Sequence, residues 1–265
     1  MPYTISHVAA VVPIARQLAR WRMLSAAVVG SMVPDFGYLI PVPMARFETH
    51  SIVALGTFCL PLGLLSYWIF QYLMKAPLLS LLPDQAYVRW RPHAAPAPWH
   101  SPRQWLLAAC GILAGSIVHL AWDAFTHENG RGVRLMPMLS DPMLQVHEHM
   151  VTGATLLQGI SSLAGLVLVA AAIAYALRGG HQPVGRRLLT ARERRAWVLL
   201  FVIVTLGFCA GFLALDLSGN PVRWLGIGSL AVAILRALVV SCLLVSALLQ
   251  GYLRAKPERR DAPIQ

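Results

Sequence analysis

Five stretches of this 265-residue chain stay apolar over enough length to cross hydrocarbon. At about 1.5 Å per helical residue, some twenty residues span about 30 Å. The stretches are 51–73, 104–125, 155–177, 196–215 and 224–253. Composition agrees: 57% of residues are hydrophobic and 12% charged, where a soluble domain carries about a quarter charged. The expected fold is all-α, a polytopic helical membrane bundle. It has about five transmembrane helices plus an N-terminal helix lying at the interface or partly buried. We read it as a single integral membrane domain over 1–265. Residues 1–50 carry an N-terminal helix and polar motifs, 51–253 the bundle and 254–265 a basic tail.

The N-terminal helix is expected over 6–30, with Ser6 as its N-cap. Arg16, Arg20 and Arg22 interrupt it, which leaves a sixth crossing open. The first 22 residues lack a basic region ahead of their apolar stretch, and Pro13 and Arg16 break that stretch. They make a poor signal peptide, so the first span is expected to be uncleaved. Cys59, Cys110, Cys209 and Cys242 lie within apolar runs without C-x-x-C spacing and read as small buried hydrophobes.

The net charge is +11. Its basic residues are divided among short loops, which reads as topology signalling and not as a nucleic-acid patch. Fourteen basic residues follow the first and third spans or lie in the tail, and seven lie on the other side. The positive-inside rule then places 74–103 and 178–195 in the cytoplasm, and His50, His127 and the N-terminal region outside. The Pro-rich stretch 74–103 is expected to be an irregular loop. The segment RRLLTARERR reads as a basic juxtamembrane stretch, and GISSLAG (159–165) as a surface for close helix packing.

Polar groups of a particular kind interrupt this pattern. His119, Asp123 and His127 stand four apart in GSIVHLAWDAFTHENG, at the end of the second span. On a helix that spacing stacks them along one face. Ionisable groups at such depth are costly and mark a functional site by default. His7 in TISH, Asp35 after Pro34 in GSMVPDF, and His50 in ETHS fall on the same expected side of the membrane. Four imidazoles and two carboxylates can therefore converge at one face, a donor set that suits a divalent metal, above all zinc. Taken singly, His7 also reads as a hydrogen-bonded histidine, Asp35 as a helix cap and Thr49-His50-Ser51 as a polar helix start. His147, Glu148 and His149 read as a surface cluster or an outer support for the site. Arg236, deep in the last span, should pair with an acid such as Asp216 or line a polar cavity.

The order TISH, GSMVPDF, ETHS and VHLAWDAFTHENG resembles the bacterial family labelled domain of unknown function 4184, over most of the chain. The same order is more distantly similar to inner-membrane proteins described as metal-dependent hydrolases. That likeness implies His7, Asp35, His50, His119 and Asp123 as metal ligands, with His127 accessory, and places the chain in a bacterial inner membrane.

Two functions are compatible with these residues. One is a membrane-embedded metal-dependent hydrolase whose substrate is lipid-like and whose partner is membrane lipid. The other is an ion or proton conductor, or an assembly factor, using His119, Asp123 and Arg236 as a relay. Clustering at one face favours the first, and a chain of groups across the bilayer favours the second.

Overall fold

A computed structural model of the chain describes residues 4–39, 46–97, 101–146, 149–178, 187–219 and 227–256. Among these residues five helices are long and apolar enough to cross a membrane: Ile52–Leu81, Pro102–Thr126, Gly153–Leu177, Ala191–Asp216 and Ser229–Ala255. They are numbered the first to fifth spans in chain order. Their outer surfaces suit hydrocarbon: Leu163 is 66% exposed and Leu206 65%. In water such faces would be aggregation-prone patches; in lipid they meet a solvent of their own kind. The chain is built as a multi-pass membrane protein.

The chain divides into two compact units. The first comprises Met1–Tyr67 and Pro98–Tyr175. Its N-terminus is helical but not one helix. Thr4–Ile14 is a 3-10 helix, Ala15–Arg20 and Leu24–Gly30 are α-helical, and Val33–Tyr38 is a second 3-10 helix. The break at residues 21–23 has a local cause. Arg22 adopts the left-handed conformation (φ 59°), Met23 N donates to Leu18 O and Arg22 N to Ala19 O. That is a Schellman ending with arginine where glycine is usual. Leu18 and Met23 pack together across it. Ser6 lies inside the 3-10 helix, two residues after its start.

The tightest packing in this unit joins Leu24–Gly30 to the second span. A Cβ on Gly30 would overlap the Ile112 backbone, and one on Gly115 the Ala27 and Ser31 backbone. On Gly111 it would stand 2.8 Å from Ala26 Cβ. Close approach through paired small residues is how helices associate in lipid, where no hydrophobic drive exists between them. The expected packing surface at 159–165 is realised only in part. Gly159 has open space around it, whereas Gly165 abuts Ser6. Between the second and third spans lies a short antiparallel hairpin, β1 Pro142–Val146 and β2 His149–Thr152. His147 and Glu148 lie outside the described residues, as does the His149 side chain, so that cluster has no structural account.

The second unit comprises Trp68–Ala97 and Ala176–Gln265. The fourth and fifth spans pack against each other in it. Thr190 and Glu193 form a reciprocal capping box at the start of the fourth span, with Glu193 N bonded to Thr190 Oγ1 and Thr190 N to Glu193 Oε2. Glu193 also accepts from Lys256 Nζ at 2.9 Å and from the Tyr252 hydroxyl. The Pro-rich stretch after residue 74 is largely helical, as Lys75–Leu81, Asp84–Trp90 and Arg91–His93. Its prolines explain why. Pro83 immediately precedes one helix and Pro92 opens another, where a missing N–H costs nothing. Pro77 follows the widened π turn Phe70–Met74, which relieves the clash a proline causes in a regular helix.

Candidate metal centre

The second span presents Gly111, Gly115, His119 and Asp123 as one stripe, each four residues after the last. The two glycines let the Leu24–Gly30 helix approach so closely that Ser31, just beyond it, meets His119. His119 Nδ1 lies 2.7 Å from the Ser31 carbonyl oxygen, and Ser116 Oγ donates to Gly30 O at 3.0 Å. A carbonyl only accepts, so Nδ1 carries a proton, and in the neutral ring the lone pair is on Nε2, which points away from Ser31. His119 is wholly buried.

The other groups arrive from separate elements. Asp35 sits early in the Val33–Tyr38 turn, buried, with Oδ2 accepting from Thr4 Oγ1 at 2.8 Å. It does not cap the turn. His50 precedes the first span, its Nδ1 2.6 Å from Thr49 Oγ1, while Ser51 caps the span by accepting from Ala54 N. In the 3-10 helix Thr4–Ile14, three residues per turn align Thr4 and His7 on one side. His7 thereby stacks on His119, ring centroids 3.7 Å apart. His127 closes the second span, with Nε2 3.1 Å from the Gln158 side-chain nitrogen.

These six side chains converge although they are spread over residues 7 to 127. Around one point, carboxylate and imidazole alternate. His50 Nε2 is 3.4 Å from Asp35 Oδ1 and 3.5 Å from Asp123 Oδ2. His119 Nε2 is 3.7 Å from each of the same two oxygens. The second Asp123 oxygen, Oδ1, faces His7 Nε2 at 3.5 Å and His127 Nδ1 at 3.6 Å.

Separations near 3.5 Å are too long for good hydrogen bonds. They match what an ion requires: four donors placed tetrahedrally about 2.1 Å from a metal stand about 3.4 Å apart. Nε2 of His7, His50 and His119 is buried in each case with no hydrogen-bond partner among the described residues. A buried polar atom without a partner is costly, and three of them aimed at shared carboxylate oxygens fit a ligand set. The groups His7, His119, Asp123 and Asp35, His50, His119 each bring their donor atoms within 4.8 Å of one another.

The electrostatics point the same way. Burial, aided by neighbouring His119, pulls the His7 imidazole down to about 4, so it is neutral at pH 7 and offers a lone pair. Burial by itself would push the Asp35 carboxyl up. The facing His50 imidazole, the nearby His119 and His7, and the Thr4 hydroxyl instead hold it below the usual carboxylate value, so it is ionised. A neutral imidazole at His7 and an anionic carboxylate at Asp35 are in the protonation states that bind metal.

A cavity of about 830 Å³ opens beside the cluster, with His50, Asp123 and His127 in its wall. Arg236 belongs to the other unit, where it is half-buried, whereas all six clustered groups belong to the first. Sequence reasoning found the six groups but not what steadies them. Ser31 acts through its backbone, and Gln158 is one polar residue in an apolar helix.

The chain belongs to the family described as domain of unknown function (DUF4184), which matches residues 1–247. No curated protein and no solved structure matches it.

Proposed function

We propose that this protein is a membrane-embedded, metal-dependent hydrolase whose zinc is held by Asp35, His50, His119 and Asp123. His7 completes or supports the set and His127 is accessory to it. The observation that carries this reading is the alternation of two carboxylates and two imidazoles around one point, at separations an ion explains and hydrogen bonds do not. Zinc bound there would acidify water and polarise an ester or phosphoester oxygen, the chemistry of hydrolysis. The chain's own part is orientation. The Ser31 carbonyl fixes the tautomer and plane of the His119 ring, and the Thr49 hydroxyl orients the His50 ring. Buried Thr4 does the same for Asp35.

Position along the second span supports a lipid-like substrate. His119 lies seven residues before the end of that span, at Thr126, which is about 10 Å of helix. Asp123 is closer to the end still. The site therefore lies near the edge of the hydrocarbon. The bias of basic residues towards 74–103, 178–195 and the tail supports an exoplasmic site, in a membrane we propose to be the bacterial inner membrane.

The test is turnover of ester and phosphoester lipids by purified protein in detergent, before and after chelation. Activity should vanish with chelator, return with added zinc, and be absent from folded Asp35→Asn and His119→Ala variants. Turnover indifferent to chelation, or retained in both variants, would contradict the reading.

A further inference from the structure

The cavity beside the metal-ligating groups has two unlike walls. Ile52 and Leu55 at the start of the first span, and Ile117 and Leu120 near the end of the second, make one wall. Ile52 is 69% exposed and Ile117 52%, so this side opens where hydrocarbon would lie. The other wall follows the end of the second span and carries Arg131 and Arg134. The Arg134 guanidinium is steadied by donating to Asn129 O at 3.1 Å.

Charge decides what such a cavity takes. One divalent ion balances Asp35 and Asp123, leaving two guanidiniums opposite a single carboxylate, Glu128. That carboxylate is already engaged, since Oε1 accepts from the hydroxyls of Thr152 and Thr155, each at 3.2 Å. The cavity therefore favours an anion. Guanidinium pairs are matched to phosphate, whose oxygens accept two parallel N–H bonds. We propose that the cavity is a binding site for a lipid phosphoester: the phosphate lies between the metal-ligating groups and Arg131 with Arg134, and the chains lie along Ile52, Leu55, Ile117 and Leu120. This assigns the substrate class of the hydrolase reading and rests on it.

The probe is dioleoyl phosphatidic acid in mixed micelles with the full-length protein. Binding is compared with diacylglycerol, which lacks the phosphate, and glycerol 3-phosphate, which lacks the chains. Phosphatidic acid should bind at least about tenfold more tightly than either. An Arg131→Gln/Arg134→Gln double variant should lose about tenfold while keeping wild-type metal content. An Arg16→Gln/Arg20→Gln variant, which removes the same charge from exposed positions off the cavity, should bind as wild type does. Equal binding of phosphatidic acid and diacylglycerol would overturn the phosphate anchor, and equal binding of glycerol 3-phosphate would overturn the lipid wall. Equal losses in the two double variants would reduce the effect to general charge and overturn the site. Metal content is measured separately on the same samples. A metal-free wild type would remove the hydrolase reading, whereas wild-type metal with no arginine dependence would remove only this proposal.

Discussion

The Thr49 hydroxyl stands 2.6 Å from His50 Nδ1 and is buried there. Thr49→Val removes the hydroxyl with little change of shape, so the imidazole loses its orienting partner while the surrounding packing survives. Zinc affinity should fall about 10–100-fold, read by competition with a chromogenic chelator, with thermal unfolding nearly unchanged. Unchanged affinity would show that His50 is held by packing alone. At this scale the six candidate ligands were legible because the sequence sets ionisable groups against an apolar background. Their partners were not. Thr49 resembles any polar residue at a helix start, and a carbonyl such as that of Ser31 leaves no trace in side-chain pattern. Asp35 looked equally like a helix cap; only the fold, which turns its Oδ1 to His50 and His119, separates the two.

Gly111 and Gly115 determine whether the second span can come close enough for Ser31 to reach His119. Gly115→Ala puts a methyl group into the Ala27 and Ser31 backbone. It should destabilise the protein by about 1–3 kcal/mol, the usual penalty of overpacking, and weaken metal binding with it. Gly159→Ala meets nothing within 4 Å and should be neutral or slightly stabilising through helix propensity. Thermal unfolding of both variants in detergent separates them; equal behaviour would contradict a tight interface at Gly115. The five spans were legible from length and apolarity. The identity of the tight interface was not, because Gly159–Gly165 and Gly111–Gly115 look alike in sequence and differ only in what stands opposite. The Pro-rich stretch misled for a similar reason: proline forbids helix interiors but suits helix starts, and composition does not distinguish the two.

Over the whole molecule, the distribution of basic residues predicts which side carries the site. With the four native cysteines replaced, Ala94→Cys and Ala191→Cys should react with an impermeant reagent only after the cells are opened. Reaction of both in intact cells would invert the topology and move the site to the cytoplasmic face. The first unit buries three imidazole nitrogens that no hydrogen bond among the described residues satisfies, which is why we propose that it is assembled around an ion. Elemental analysis of the purified full-length protein beside Asp123→Ala tests this most directly. The wild type should carry about one zinc per chain, and the variant little or none while its circular dichroism remains helical. Equal metal in both proteins, or none in either, would contradict the claim.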